Sequence, residues 1–266
     1  MILTQSRKVS FSPWQLLLGL SRYLIFFCLC LIFIVHHELV GLVLRQEKLR
    51  LHYYLKSISW HCRLALWLFN IKVTASSASD KKLPQGLLVC NHLSYIDVLV
   101  LFAYYPSLFV TSVEIRETFL LGRLTKLGGC FFVERRKARR TSTTIVSEME
   151  SMKAQLVEGH NVFLFPEGTS SDGQGVLPFK STFFQLALDA SVPVRPLVLR
   201  YQGEAAHTVP WYGDMGFPDH LLKVCLLSEI RVSLTELSTV TPVAGQDRFA
   251  LAQFCHERIQ EAYAKH

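Results

Sequence analysis

A long apolar run near the N-terminus limits most strongly what this chain can fold into. Residues 14–35 (WQLLLGLSRYLIFFCLCLIFIV) are almost wholly apolar, and a helix of this length extends about 33 Å, close to the thickness of one bilayer core. Arg22 stands inside the run, where a simple span costs on the order of 3 kcal/mol unless the side chain pairs or snorkels. A spanning helix and a tilted, half-inserted helix therefore both remain open.

Basic residues flank the apolar run on both sides. Arg7 and Lys8 precede it, and the heavier cluster of Arg45, Lys48 and Arg50 follows it. The positive-inside rule then predicts that the C-terminal portion lies on the cytoplasmic side of the membrane. A cleaved signal peptide is disfavoured, because the run is longer than a typical signal core and no small-x-small cleavage site follows it.

A second segment also has the pattern of a membrane-associated helix. Residues 58–71 (ISWHCRLALWLFNI) carry Trp60, Leu64, Trp67 and Leu68 at helical spacing, which suits an interfacial helix. A helix packed on the protein core explains the same spacing. We therefore predict a membrane-associated helical unit over residues 1–73 and leave these two alternatives for its second helix.

Charge and cysteine usage narrow the partners and the compartment. The formal net charge of +7 favours acidic partners, which include nucleic acid, anionic lipid surfaces and phosphorylated substrates. The seven cysteines have no C-x-x-C pair and no zinc-site spacing, so we interpret them as reduced core thiols and expect no metal. Reduced thiols favour a catalytic domain that faces the cytoplasm.

After a polar connector at 74–83, short apolar runs alternate with amphipathic helices over 84–266. The helices are indicated by apolar spacings of three and four at 145–157 and by a similar pattern at 245–264. Buried strands separated by helices predict an α/β domain with a largely parallel central sheet and flanking helices. The predicted strands are Gly86–Asn91, Leu108–Glu114, Gly129–Val133, Asn161–Phe165 and Val194–Tyr201.

A histidine and an aspartate follow the first predicted strand, in the sequence NHLSYID at 91–97. On one continuous helix, the five-residue step from His92 to Asp97 would turn the two side chains to different faces. Ser94 offers an N-cap with an acidic residue at N3, so we expect the helix to begin after Ser94 and His92 to stand in the loop. Asp97 can then orient the imidazole as a general base. A purely structural histidine is the competing interpretation.

A polar loop follows a later predicted strand, with the sequence FPEGTSSDG at 165–173. Its carboxylate, glycines and hydroxyls suit a polar ligand site, because loops at the carboxyl ends of strands form the crevice of an α/β sheet. An ordinary polar loop between a strand and a helix, with proline and glycine at its turns, explains the same residues. The loop is therefore a candidate ligand site that needs further support.

Two other segments complete the set of motifs. The sequence GCFFVER at 129–135 runs into a cluster with five basic residues at 135–140, which can bind phosphate or begin a solvated helix. Arg135 ends the predicted strand, so we expect it in the site. The segment VPVRP at 192–196 enters a strand, and its residues alone indicate only a structural role.

Four motifs in this order resemble those of the glycerophospholipid acyltransferase family, in particular its 1-acylglycerol-3-phosphate type. They are NH-x4-D, G-x-x-F-V-x-R, FPEGT and V-P-V-x-P, and the resemblance covers roughly residues 84–200. A membrane-associated helical N-terminus is common among the bacterial members. Each motif is short, but four in order on compatible strand and loop positions are hard to obtain by chance.

The resemblance implies an activity and a place in the cell. A fatty acyl group would pass from acyl-CoA or an acyl carrier protein to the free hydroxyl of a lysophospholipid, 1-acyl-sn-glycerol-3-phosphate, in phospholipid biosynthesis. His92, oriented by Asp97, would deprotonate that hydroxyl, and Arg135 would pair with the acceptor phosphate. No cofactor or metal is needed, because the thioester is already activated. The protein would lie in the inner membrane with its catalytic domain on the cytoplasmic side.

The resemblance also implies binding residues, and this chain departs from the family at one of them. Glu167, Gly168 and Thr169 would hold the polar part of the acceptor. The acyl or donor site would be lined by Val192, Pro193 and Pro196. Phosphatidate-forming members commonly have Arg directly after the Thr of FPEGT, where this chain has Ser170.

The departure leaves two interpretations of the acceptor. Lys180, within LPFKS at 177–181, or the cluster at 135–140 can supply the missing phosphate ligand. Otherwise the acceptor is another lysolipid, because the SSDG form at 170–173, together with WYGDM at 211–215, looks similar to members that acylate lyso-ornithine lipid or zwitterionic lysophospholipids.

Three other classes of protein explain less of the sequence. A serine hydrolase would need a nucleophile elbow, and the sequence contains no G-x-S-x-G. A basic protein that only binds membrane surfaces leaves His92, Asp97 and Glu167 without a reason to occur together. Nucleic acid is not an expected partner, since the basic residues cluster beside strand ends rather than among exposed aromatic side chains.

Overall fold

A seven-stranded sheet organises this computed structural model, which describes residues 12–77, 85–134, 142–243 and 245–265. The strand order is β1-β7-β6-β2-β5-β3-β4, and every neighbouring pair is parallel except β6 and β7. The predicted α/β fold with a largely parallel sheet and flanking helices is thereby confirmed. The strands are β1 Ile71–Ser77, β2 Leu87–Cys90, β3 Leu108–Ser112, β4 Phe131–Val133, β5 Val162–Leu164, β6 Val194–Gln202 and β7 Ile230–Glu236.

Helices cover both faces of the sheet, and two long helices at the N-terminus pack beside them. All residues of β2, β3 and β5 are buried, as expected for central strands that read as continuous apolar runs. The helices are α1 Pro13–Val43, α2 Glu47–Leu68, α3 Tyr95–Tyr104, α4 Val113–Arg116, α5 Phe119–Leu127, α6 Ser142–Val157, α7 Gln185–Asp189, α8 Ala205–Thr208, α9 Phe217–Leu226 and α10 Arg248–Ala264.

The five predicted strands correspond to β2–β6, and the structure adds two strands at one side of the sheet. Residues 74–77, expected in the polar connector, belong to β1, which pairs with β7 along its whole length. Only Ile71 of β1 is buried, so this edge strand lacks the apolar pattern of a core strand. The helix predicted at 58–71 is the second half of α2, and the chain turns into β1 through Asn70, whose φ is +53°.

Arg22 fixes the apolar helix α1 to the rest of the protein. Its side chain is buried, and Nη1 donates hydrogen bonds to the carbonyl oxygens of Cys225 and Leu227, at 3.2 and 2.5 Å. These carbonyls lie in the last turn of α9 and at the residue that caps it, where unpaired oxygens and the helix dipole favour a cation. One turn away, a Cβ at Gly19 would lie 2.5 Å from a methyl carbon of Leu226. The arginine inside the apolar run is therefore a docking residue.

A buried ion pair connects the two antiparallel strands. Arg195 Nε lies 2.7 Å from Glu236 Oε1, and the hydroxyl of Tyr105 donates to the other carboxylate oxygen at 3.1 Å. The guanidinium also lies over the ring of Tyr105, 5.4 Å from its centroid. Each charge thus has partners that compensate for its removal from water.

We expect Glu236→Gln to lower the free energy of unfolding by about 3–5 kcal/mol, because it leaves the Arg195 charge buried without its counterion. The control is Glu229→Gln, which breaks the solvent-exposed pair with Arg231 and should cost less than about 1 kcal/mol. Denaturant unfolding in detergent measures both values. An equal loss of unfolding free energy in the two variants would contradict the role of Glu236 as the buried counterion of Arg195.

Candidate active site

The loop between β2 and α3 is held rigidly at the carboxyl edge of the sheet. Asn91, buried directly after β2, donates through Nδ2 to the carbonyl oxygen of Leu199 and accepts from the Leu199 N–H, both at 2.8 Å. Helix α3 begins at Tyr95, with Ser94 as its N-cap in a capping box. His92 therefore stands in the loop ahead of a Ser94-capped helix, as predicted.

His92 is oriented by a buried carboxylate. Its Nδ1 lies 2.9 Å from Oδ2 of Asp97, which is 0% exposed. The same oxygen accepts the backbone N–H groups of Leu93 and Ser94 at 2.6 and 2.8 Å, while Oδ1 accepts the hydroxyl of Tyr201 at 2.7 Å. Because a carboxylate oxygen accepts, this contact favours the His92 tautomer that carries its proton on Nδ1 and its lone pair on Nε2.

The imidazole ring is also fixed by stacking. The rings of His92 and Phe165 lie nearly parallel, 9° apart, with centroids separated by 3.7 Å. The histidine side chain remains 16% exposed, so a substrate can reach it. Hydrogen bonding along one direction and stacking along another leave the ring little freedom to turn.

Glu167 ties the FPEGT loop to the histidine loop. Its Oε1 accepts the backbone N–H of His92 at 2.6 Å, and its Oε2 accepts that of Leu177 at 2.9 Å. Burial and, to a smaller extent, the nearby charge of Asp97 raise the pKa of this carboxyl to about 7, while the two backbone hydrogen bonds act to lower the pKa. Both oxygens are engaged within the protein, which indicates that Glu167 positions the loops.

Gly168, Thr169 and Lys180 lie close together beside this carboxylate. Gly168 has a φ of +74°, and a Cβ there would lie 2.3 Å from the amine nitrogen of Lys180. The backbone N–H of Lys180 donates to the Pro166 carbonyl at 2.9 Å, which holds the amine-bearing segment over the loop. The backbone conformation therefore favours glycine at this position, and the amine of Lys180 occupies the space beside it.

Three further hydrogen bonds connect the FPEGT loop, the histidine loop and the segment around Trp211. The hydroxyl of Ser170 donates to the carbonyl oxygen of Trp211, and the Trp211 N–H donates to the carbonyl of Leu93 at 2.7 Å. Ser171 donates its N–H to the carbonyl of His92 at 3.0 Å. Three loops that are distant in sequence thus form one framework around the histidine.

A largely apolar cavity of about 460 Å³ adjoins this framework. His92, Thr169, Ser170 and Trp211 contribute to its wall, and helices α1, α2, α3 and α5 form much of the rest. Representative helix residues in the wall are Phe33, Ile58, Phe102 and Leu124. The cavity is therefore shared between the site loops and the two N-terminal helices.

The structure does not bring Val192, Pro193 or Pro196 to this cavity. In the register of the parallel strands, Val194 pairs with Leu87 at the start of β2, whereas His92 follows the end of β2. Pro193 accepts a hydrogen bond from the Leu87 N–H at 3.0 Å. Among the described residues that line the cavity, none belongs to 192–196, and the expected role of this segment in the acyl or donor site stays a prediction.

The residue expected to bind the acceptor phosphate, Arg135, lies outside the described residues. Arg135 and the basic cluster at 135–140 fall in the range for which no structure is described. Within the described ranges, no group of three or more His, Cys, Asp or Glu side chains could hold a metal ion.

Sequence reasoning missed Tyr201 and Phe165 as partners of the site. Tyr201 is 104 residues from Asp97, and no local spacing connects the two. Phe165 was noted only as the first residue of FPEGT, because nothing in a sequence indicates that its ring stacks on His92. Long-range pairing of strands brings both side chains to the histidine loop.

Comparisons with known proteins agree with this geometry. A family model described as Acyltransferase matches residues 70–200. The chain is 32% identical over 184 residues to the 1-acyl-sn-glycerol-3-phosphate acyltransferase of Neisseria gonorrhoeae, covering 68% of this chain and 71% of that protein. It is 34% identical over 219 residues to the lyso-ornithine lipid O-acyltransferase of Rhizobium meliloti, covering 76% of this chain and 72% of that protein.

A solved structure shows the same fold. The 1-acyl-sn-glycerophosphate acyltransferase PlsC from Thermotoga maritima superposes with a TM-score of 0.71 over 95% of each chain, at 20% sequence identity. Because both curated relatives exceed 30% identity over more than two thirds of this chain, and the family model covers the strands and loops that surround His92, the protein belongs to the acyltransferase family and is an acyltransferase.

Proposed function

We propose that this protein is a membrane-bound enzyme that transfers a fatty acyl group from acyl-CoA or an acyl carrier protein to the free hydroxyl of a lysophospholipid. The acceptor we favour is 1-acyl-sn-glycerol-3-phosphate, in phospholipid biosynthesis. The observation that carries this proposal is His92, held by Asp97 through Nδ1, at the wall of a largely apolar cavity.

The proposed reaction is a direct transfer. Nε2 of His92 takes the proton of the acceptor hydroxyl while the hydroxyl oxygen attacks the thioester carbonyl carbon. The carbon–sulfur bond then breaks, and the departing sulfur takes the proton back from the imidazolium, so that an ester and a free thiol are formed. The charge of Asp97 stabilises the imidazolium between these two steps.

The cavity suits an acyl chain. Its volume of about 460 Å³ lies in the range of small-ligand sites, and burial of each methylene contributes about 0.8 kcal/mol. The wall reaches from His92 to side chains of α1 and α2. A chain bound along this wall would bring its reactive end to the histidine.

The acceptor head group distinguishes two candidate functions. Lys180 lies against Gly168 beside the FPEGT loop and is the described cation that we favour as a ligand for an acceptor phosphate. Against a phosphate acceptor, Ser170 stands where phosphatidate-forming members have Arg, and its hydroxyl donates to Trp211. No Lys or Arg occurs among the described residues that line the cavity. The second candidate is therefore O-acyl transfer to lyso-ornithine lipid or a zwitterionic lysophospholipid.

Helix α1 supports membrane attachment. It has 31 residues and is long and apolar enough to cross a membrane by length and composition. The rest of the protein nevertheless contacts α1 along much of its length. Gly19 and Arg22 contact the end of α9, and Glu38 pairs with Arg123 of α5. A full crossing would bury those contacts in hydrocarbon, so we propose that α1 lies half-inserted in one leaflet. The exposed apolar side chains of α1 that would enter the lipid include Leu17, Leu24, Leu31, Val35 and Leu42.

The flanking basic residues support an orientation. The cluster after the apolar run favours the cytoplasmic face of the inner membrane for the catalytic domain. Anionic lipids on that face attract such a cluster, and the activated acyl donors are supplied in the cytoplasm. The proposed enzyme would therefore meet its thioester donor and its lipid acceptor at the same surface.

We expect His92→Ala to lower acyl incorporation at least about a hundredfold, because it removes the general base. Membranes that carry each variant receive labelled acyl donor and lysolipid. The control is His207→Ala, which removes an exposed histidine on α8 and should retain full activity. Unchanged incorporation in the His92 variant would rule out the proposed mechanism.

A panel of acceptors separates the two candidate functions. We expect 1-acyl-sn-glycerol-3-phosphate to be acylated and Lys180→Ala to raise its KM about tenfold, since a charged hydrogen bond contributes about 1.5–3 kcal/mol. The test measures KM and kcat of the wild type and of Lys180→Ala with this acceptor. The same measurements are made in parallel with lyso-ornithine lipid and lysophosphatidylethanolamine. Acylation of lyso-ornithine lipid alone, with KM unaffected by the Lys180 change, would favour the second candidate.

We expect Leu24→Glu combined with Leu31→Glu to release the protein from liposomes, because two charges would face the acyl chains at a cost of about 2–4 kcal/mol each. Co-sedimentation with vesicles of anionic phospholipid measures the bound fraction. The control is Phe249→Glu, which changes an equally exposed apolar residue on α10 and should leave binding intact. Equal binding of all variants would contradict a lipid-facing surface on α1.

A further inference from the structure

The second oxygen of the Asp97 carboxylate has a partner that the proposed mechanism does not use. The hydroxyl of Tyr201 donates to Oδ1 at 2.7 Å, whereas the donors from the histidine loop all reach Oδ2. Tyr201 is 3% exposed, and it lies in β6 rather than in the loop. Asp97 is therefore held from two independent elements of the fold.

Holding both oxygens defines the plane of the carboxylate. With Oδ2 alone bonded, the group could rotate about its Cβ–Cγ bond and change the direction in which it accepts from Nδ1 of His92. The Tyr201 hydroxyl restricts this rotation. Its own position is fixed by the same strand that Asn91 binds, through the two hydrogen bonds to Leu199. The histidine loop and Tyr201 are thus both held in position by strand β6.

The chemistry of the phenol suits a permanent donor. Burial raises the pKa of Tyr201 well above the ordinary range, and the charge of Asp97 raises the pKa further. The hydroxyl therefore remains protonated wherever the enzyme is folded and active. It can donate to Asp97 throughout the reaction but does not compete with His92 as a base.

We infer that Tyr201 is a positioning residue for acyl transfer: its hydroxyl fixes the Asp97 carboxylate in the plane that aims Nε2 of His92 at the acceptor hydroxyl. This inference rests on the proposed function. Tyr201 is absent from the described wall of the cavity, so it acts through Asp97 and not on the substrate. Its loss should slow the chemical step and leave substrate binding unchanged.

The test is Tyr201→Phe, which removes one oxygen atom and keeps the ring. We expect kcat to fall about tenfold or more, because a hydrogen bond to a charged group is lost, while KM for donor and acceptor stays within about twofold. A matched control exists in Tyr105→Phe. Tyr105 also donates a hydroxyl to a buried carboxylate, Glu236, but it lies in the contact with Arg195, away from His92. This control should lose comparable thermal stability and keep its kcat.

A double-mutant comparison separates positioning from a general loss of packing. In an Asp97→Ala background the tyrosine hydroxyl has no carboxylate to hold, so Tyr201→Phe should cause no further loss of kcat. An equal loss with and without Asp97 would overturn the inference, as would full kcat in the single variant or an equal loss in Tyr105→Phe. Wild-type enzyme that acylates no lysolipid would overturn the proposed function and this inference together. Normal wild-type activity that depends on His92 but not on Tyr201 would overturn this inference alone.

Discussion

The buried carboxylate of Asp97 is the interaction on which the site and its surroundings depend. An ionised carboxylate away from water is costly unless its oxygens are satisfied, and here four donors surround it. Two of these donors are backbone N–H groups that cap α3, one is the imidazole of His92 and one is the hydroxyl of Tyr201. The Asp97 carboxylate thus stabilises the start of α3, orients His92 and connects the histidine loop to β6. The start of α3 and the orientation of His92 therefore depend on the same carboxylate.

A second coupling links the two N-terminal helices to the cavity. Arg22 binds α1 to the end of α9, and α1 and α2 both contribute side chains such as Phe33 and Ile58 to the cavity wall. The N-terminal helices are therefore part of the site and cannot be regarded as a removable anchor. The cavity lies between the apolar helix α1 and the loop that carries His92. In the proposed function, an acyl chain in this cavity would extend from the bilayer to His92.

Local sequence patterns were sufficient for the centre of the fold and for the histidine loop. The continuous apolar runs identified β2 to β6, and the Ser94 cap located His92, because both depend on neighbouring residues. Strand β1 was missed because an edge strand needs few buried side chains. The partners of Arg22, and Tyr201 as a second partner of Asp97, were missed because they lie far along the chain. The segment at 192–196 was assigned to the acyl or donor site by resemblance alone, and it is not among the described residues of the cavity wall.

The most direct test of the central claim is a crystal structure with a bound lysolipid. The account predicts that the free hydroxyl of the acceptor lies about 3 Å from Nε2 of His92, with the ring still bonded to Asp97 through Nδ1. It also predicts that an acyl chain occupies the cavity between α1, α2, α3 and α5. An acceptor hydroxyl directed away from Nε2, or an imidazole turned away from Asp97 in the complex, would contradict the account.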